Sequence, residues 1–168
     1  MAFDMHLEFT GGKLDIVGAS THSKHTNQIP ILAWSWGASN TGDLHGGNTT
    51  SGGKAHVQDI SITKYVDSTS NVLLNAVCTG ARLDGAVLYV TNAVGDQTDF
   101  LTLTLSKGVL ITSWSSGGSG GEDKLTENLT LHFGAFNFSF QPQTPDGAVK
   151  GGAKTFDYDM QQVLGKST

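Results

Sequence analysis

At 168 residues the chain has the length of one domain, and 38% of it is hydrophobic, enough for a core without a metal or disulfide staple. A formal charge of -5 argues against nucleic acid or an anionic membrane as the main partner, and the single cysteine, Cys78, excludes an internal disulfide. Charged residues make up only 15%, against roughly 25% in an ordinary soluble domain, and Ser, Thr, Asn and 22 Gly stand in their place. Such a surface is polar but largely neutral, which suits a chain that covers much of itself with other protein, because burying charge is costly. Residues 1–6 have neither a basic region nor an apolar core, so no secretory signal is expected there. No stretch reaches the ~18–20 apolar residues of a membrane span.

Period-two alternation dominates. Phe3, Met5, Leu7 and Phe9 share one face of a first strand that ends at Gly11-Gly12. A polar loop over residues 18–28 leads to a strand over 29–39, with Leu32, Trp34 and Trp36 on one side and Ala33 and Ser35 on the other. The loop 40–53 is too long for a hairpin turn, and loops of that length are functional or disordered. Residues 56–66 form a strand through Ile60 and Ile62. A helix over about residues 68–79 follows, capped by Asp67 or Ser68, striped by Val72, Leu73, Ala76 and Val77, and stopped by Gly80. Strands are expected at 86–91, 99–106 and 107–115.

After the Gly-rich loop 116–123 comes the longest run, 124–140. Leu125, Leu129, Leu131 and Phe133 point one way, and Glu127 is the polar exception on that face. The phase slips at Gly134-Ala135, after which Phe136, Phe138 and Phe140 carry the apolar side, the signature of a bulge where a sheet curls. A weak last strand lies near 156–160. About eight strands and one helix make an all-β fold, a curled two-sheet barrel or sandwich, in one domain over residues 1–168.

No constellation of residues satisfies the needs of catalysis. Of six histidines, His22 and His25 share a loop, whereas His45 and His56 lie in or beside another; a zinc site wants three or four clustered ligands, so these are expected to be loop and surface histidines. Residues 49–55 look like a P-loop, but Asn48 replaces its first glycine and Ala55 its magnesium-holding hydroxyl. Gly117-Gly118-Ser119-Gly120-Gly121 has the letters of a nucleophile elbow without the helix that should follow. Glu122 and Asp123 are adjacent and read as solvated loop charge, and Cys78 as a small buried filler. The expectation is a protein with no catalytic, cofactor or metal site.

Three blocks carry a resemblance. They are Ile31-Leu32-Ala33-Trp34-Ser35-Trp36-Gly37, Val57-Gln58-Asp59-Ile60-Ser61-Ile62-Thr63-Lys64-Tyr65-Val66-Asp67, and the stretch from Ser113 through the Gly loop to Glu127. In this order and spacing they resemble the Hcp family, the tube-forming proteins of type VI secretion, and the match extends to about Gln143. The chain departs from the family at Ala19, where Glu is frequent, and at Asn71, where Pro often opens the helix. The resemblance implies a subunit that forms hexameric rings through its sheet edges. The rings stack into a hollow tube within a contractile sheath, behind a spike protein, and small secreted effectors ride in the lumen. It implies export from the bacterial cytoplasm without a signal peptide, and the charge and hydropathy above leave no nucleic-acid or membrane-inserted partner expected.

On this resemblance Trp34 and Trp36 anchor the core or the ring interface, and Ser35 faces the lumen and touches cargo. Asn40, Gly42, His45, Gly46 and Gly47 belong to a loop that reaches the adjacent ring, with Glu122 and Asp123 at a ring face. The competing reading is a monomeric secreted β-domain that binds carbohydrate or a cell surface.

Overall fold

The computed structural model describes residues 2–42, 53–93 and 95–168. The elements run β1 (Phe3–Thr10), β2 (Ile29–Pro30), β3 (Ala33–Ser35), β4 (Ala38–Asn40), β5 (Ala55–Val57), β6 (Ile60–Tyr65), α1 (Ser70–Thr79), β7 (Arg82–Leu83), β8 (Gly85–Asn92), β9 (Asp99–Gly117), β10 (Thr126–Phe140), β11 (Lys154–Asp159) and β12 (Leu164–Ser167). One large antiparallel sheet follows the order β12-β11-β10-β9-β8-β1-β2, and β6, carrying β3, branches from β10; β4 and β5 form a separate two-stranded ribbon. The sheet curls without closing into a barrel, since β12 and β2 end the path instead of pairing.

The long ribbon of β9 and β10 causes the curl. The first half of β10, from Thr126 to Leu131, pairs with β6, and its second half, from Ala135 to Phe140, pairs with β11. The change of partner falls at a bulge between Phe133 and Ala135, where the alternation slips at Gly134. A Cβ on Gly134 would stand 2.9 Å from the carbonyl oxygen of Lys107, so only glycine lets the two strands approach here.

Directly opposite, β9 bends at Lys107 and Gly108, both at positive φ, 58° and 95°. The two strands expected at 99–106 and 107–115 are therefore one bent strand. The expected strand at 29–39 is instead three pieces, because the chain changes neighbours within it. The Ile31 amide bonds to Met5 on β1, and the next amide, Leu32, bonds to Thr63 on β6.

One core fills the curl. Leu7, Ile29, Ile60, Ile62, Leu83, Leu88, Leu103, Leu105, Leu129 and Leu131 are almost wholly withdrawn from water. The helix closes one side with Leu73 and Ala76 buried against this core, and its partly buried neighbour Val77 packs on it too. It begins two residues later than the caps suggest. Asp67 acts one step ahead of the helix, its carboxylate accepting the Thr69 amide at 2.8 Å while its own amide donates to Ser70 Oγ. Gly80 ends the helix at φ 64°, as its left-handed stop. Cys78 lies on the solvent side of α1 and is exposed, not buried, because the apolar stripe runs through Leu73 and Ala76 on the opposite side.

The polar exception in β10 has a partner. Glu127 faces Lys64 in register across β10 and β6, and neither side chain is exposed at all. Lys64 Nζ lies 2.7 Å from Glu127 Oε1, 3.0 Å from Asp67 Oδ1 and 2.8 Å from the Tyr65 carbonyl oxygen. One ammonium thus ties β6, β10 and the start of α1 together inside the molecule. Burial pushes the Asp67 carboxyl up, but hydrogen bonds from the Thr69 hydroxyl, Lys64 and the Thr69 amide outweigh it and hold the group below its usual range.

Candidate functional surface

The sheet formed by β3, β6, β10 and β9 has two faces of opposite chemistry, because paired residues share a face and neighbours along a strand alternate. One face bears Trp34, Ile62, Leu129 and Trp114 in a row across the strands, and it packs on the core. The other bears Ser35, Ser61, Thr130 and Ser113 in one row and Ala33, Thr63, Asn128 and Ser115 in the next. These side chains are exposed or half-buried. They bond one another across the strands: Thr63 Oγ1 donates to Asn128 Oδ1 at 2.7 Å, and Ser113 Oγ to Thr130 Oγ1 at 2.7 Å.

Neither row contains a charge. Among the described residues, charges stand beyond the ends of the rows. Near one end His132 Nδ1 lies 2.7 Å from Asp59 Oδ1, both exposed. Near the other, Lys124 sits 5.1 Å over the Tyr65 ring beside Glu122 and Asp123, which share an open hollow with Leu32 and Thr126. The result is a hydroxyl- and amide-bearing wall between two ionic borders.

Ser35 lies exposed in this wall. Trp34 and Trp36 are half-buried and pack on the core. Trp36 donates Nε1–H to the Gln58 carbonyl at 2.9 Å and meets Phe136 edge-on at 4.7 Å, with Phe133 and Phe138 alongside. Asn40, at the end of β4, and Gly42, just after it, are exposed. His45, Gly46 and Gly47 lie outside the described residues. Glu122 and Asp123 are exposed in the loop before β10. Ser119 sits in a turn that leads into a strand, so the elbow geometry of a hydrolase is absent there.

The histidines depart most from expectation. His6 and His25 are buried, 5% and 3% exposed, and stack together with His22 beneath β1. The alternation of β1 places His6 opposite Leu7, on the side expected to meet solvent; the loop 18–28 folds over that side and covers it. The only sequence signal was the His22-x-x-His25 spacing, which does not point to His6. Among the described residues no group of His, Cys, Asp or Glu is arranged to hold a metal ion.

Comparison with known proteins gives the same answer along nearly the whole chain. A family model described as type VI secretion system effector, Hcp, matches residues 6–140. The protein Hcp1 of Pseudomonas aeruginosa is 42% identical over 163 residues, 96% of this chain and 98% of that one. A solved structure titled as a type six secretion system protein superposes with a TM-score of 0.89 at 25% identity, covering 98% of this chain and 100% of its own. Hcp1 from Salmonella typhimurium superposes at 0.79 with 26% identity, over 99% and 100% of the two chains. A curled antiparallel sheet, one helix across its core and sequence identity sustained over both halves leave one assignment: the chain belongs to the Hcp family of type VI secretion proteins.

Proposed function

We propose that this protein is the structural subunit of a type VI secretion tube: it closes into hexameric rings, the rings stack, and the wall bearing Ser35 lines the lumen and holds small effectors. The uncharged two-row wall carries this reading. A cargo protein docking there exchanges water for hydroxyl and amide partners without stripping water from fixed charges, so retention is reversible and tolerant of sequence. Among the described residues the sheet also ends in strands with unpaired edges, β12 and the parts of β1 outside Met5–Leu7, and such edges suit pairing with a second copy. Exposed Phe3, Phe140, Phe156 and Leu164 add apolar surface for contact between subunits.

In this arrangement Asn40 and Gly42 on the ribbon, with Glu122 and Asp123 beside the wall, meet the next ring. The further partners are the spike at the tube tip, the sheath around it and the effectors inside it. The protein acts by assembly and carriage, not by catalysis.

The lumen assignment is tested by Ser35→Gln, co-expressed with a small effector of its own secretion system. The longer amide intrudes on the wall and should cut the effector recovered with the rings at least fivefold, while the rings themselves run unchanged. Full recovery of effector on intact rings would remove Ser35 from the cargo surface.

A further inference from the structure

Three imidazoles pack against one another where β1 meets the loop 18–28. Ring centroids are 4.9 Å apart for His6 and His25, 5.1 Å for His6 and His22, and 5.2 Å for His22 and His25. His25 is fastened at both nitrogens: Nδ1 lies 2.9 Å from Gln28 Oε1, and Nε2 lies 2.8 Å from Asp99 Oδ1 and 3.0 Å from Thr91 Oγ1. The other two rings are not. His6 Nδ1 and His22 Nε2 are buried without a hydrogen-bond partner.

The charged and titratable groups around the stack come from every element that touches it. Asp4 and Glu8 stand on β1, Tyr89 on β8, Asp99 at the start of β9 and Lys24 in the loop. Glu8 is taken up by the Tyr89 hydroxyl and by Gln28 Nε2, each at 3.2 Å. Tyr89 is pushed up to about 12 by burial and by Glu8, so it stays neutral. The Lys24 ammonium points away, to the Gln97 carbonyl at 3.0 Å. Among these charged groups Asp99 alone bonds a ring, and Asp4 acts on His6 only through its charge, so two carboxylates face three imidazoles. Protons on any two of these rings set two cations side by side with little water between them. A metal ion would not relieve this, since His6 and His25 lie almost parallel, at 17°, and both nitrogens of His25 are already occupied.

The loop is held to the sheet by few other contacts. Besides the His25 bonds, those among the described residues are Lys24 to the Asp96 and Gln97 carbonyls, Ser23 Oγ to Gln97 Oε1 at 3.3 Å, and Gln28 to Glu8. The two-residue strand β2 follows, paired to β1 only at His6 and Leu7. By contrast, β8, β9 and β10 are joined by long ladders. A loosely tethered cover over buried bases is the part of a fold that opens first.

We propose that His6, His22 and His25 form an acid-operated latch: proton uptake by the stack releases residues 18–28 from β1, β8 and β9 while the core sheet stays folded, and uncovers the surface bearing His6, Tyr89 and Thr91. The direction follows from His6. Burial, then the charges of His25 and His22, hold it down at about 4, against 6.5 when free. A base depressed in the closed form favours closure fully above pH 6.5 and progressively less between 6.5 and 4, where only the open form takes the proton. At pH 5 this one ring favours opening about thirtyfold over pH 8.

Hydrogen exchange of the full-length protein at pH 8, 6.5 and 5, with labelling times scaled for the intrinsic pH dependence, tests the latch. The amides of Ser20, His25, Asn27 and Gln28 should exchange about thirtyfold faster at pH 5 than at pH 8, with β9 and β10 unchanged. The double variant His6→Gln/His22→Gln should hold this segment closed at pH 5. Unchanged protection of residues 18–28 across the range overturns the proposal, as does loss of protection in all strands together, or a double variant that opens like the parent. Should the double variant not fold, an NMR titration of the parent imidazoles decides. His6 taking up its proton well below pH 6.5, in step with release of residues 18–28, supports the latch; a ring that titrates near 6.5 over an unmoved segment refutes it.

Discussion

Replacing Lys64 by methionine should destabilise the protomer by about 3–5 kcal/mol, read as a fall in the urea midpoint. Methionine fills the space of the lysine stem but leaves Glu127 with nothing to meet its charge, and that carboxylate is wholly buried with Oε2 already unpartnered. Glu127→Gln should cost less, because Lys64 keeps Asp67 and the Tyr65 carbonyl oxygen. The double variant Lys64→Met/Glu127→Leu should recover most of the loss, since removing both charges ends the penalty that removing one creates. A Lys64→Met protein within 1 kcal/mol of the parent would mean that water reaches the pair. The same network sets an acid limit. The lowered Asp67 contributes its full stabilisation above the ordinary carboxylate value of 3.8, and this is lost as pH falls through its lower folded value.

Trp36→Ala is the second large effect, expected at about 3 kcal/mol of protomer stability. The indole is the wedge between the turn after β3 and the second half of β10. It loses an edge-on contact with Phe136, neighbours Phe133 and Phe138, and its bond to the Gln58 carbonyl. Phe136 in turn lies against Phe156 and Tyr158 on β11, so the hairpin of β11 and β12 should loosen as well. Core and interface roles separate cleanly here. A core role lowers the unfolding midpoint at every protein concentration, whereas an interface role shifts assembly and leaves the isolated protomer as stable as before. Trp36 packs against the core, and on those contacts we propose that the core role is the one measured.

What could be read from the chain was local periodicity wherever one face is buried. The strands around Leu7, Ile62, Leu103 and Leu129 alternate because their other face is polar, and the slip at Gly134 marks a real bulge. What could not be read depends on which neighbour the backbone chooses. Residues 29–39 look continuous, yet Ile31 bonds to β1 and Leu32 to β6. Residues 99–106 and 107–115 read as two strands, yet Lys107 and Gly108 adopt positive φ within one continuing strand, and β9 bends instead of ending. Terminal β12 has too few apolar residues to announce itself, and all four of its residues are exposed.

The polar residues followed the same rule. Glu127 stood out as an exception, but its partner Lys64 is 63 positions away and only the register brings them together. His6 gave no sign of burial, because the loop that covers it is folded back by contacts with Gln97 and Asp99 far along the chain. Conversely, the wall bearing Ser35 was legible as a neutral polar face because every strand that builds it alternates. The Ser35 assignment itself came from the resemblance of the surrounding block.

A tube subunit must join with copies of itself around a hole. Size-exclusion chromatography with light scattering, run over a hundredfold range of dilution, measures that directly. The predicted result is a single species of about six times the 17.7 kDa protomer mass, held to low concentration. A folded species of 17.7 kDa at every concentration would contradict it and would favour a solitary β-domain that uses its polar wall to bind something other than itself.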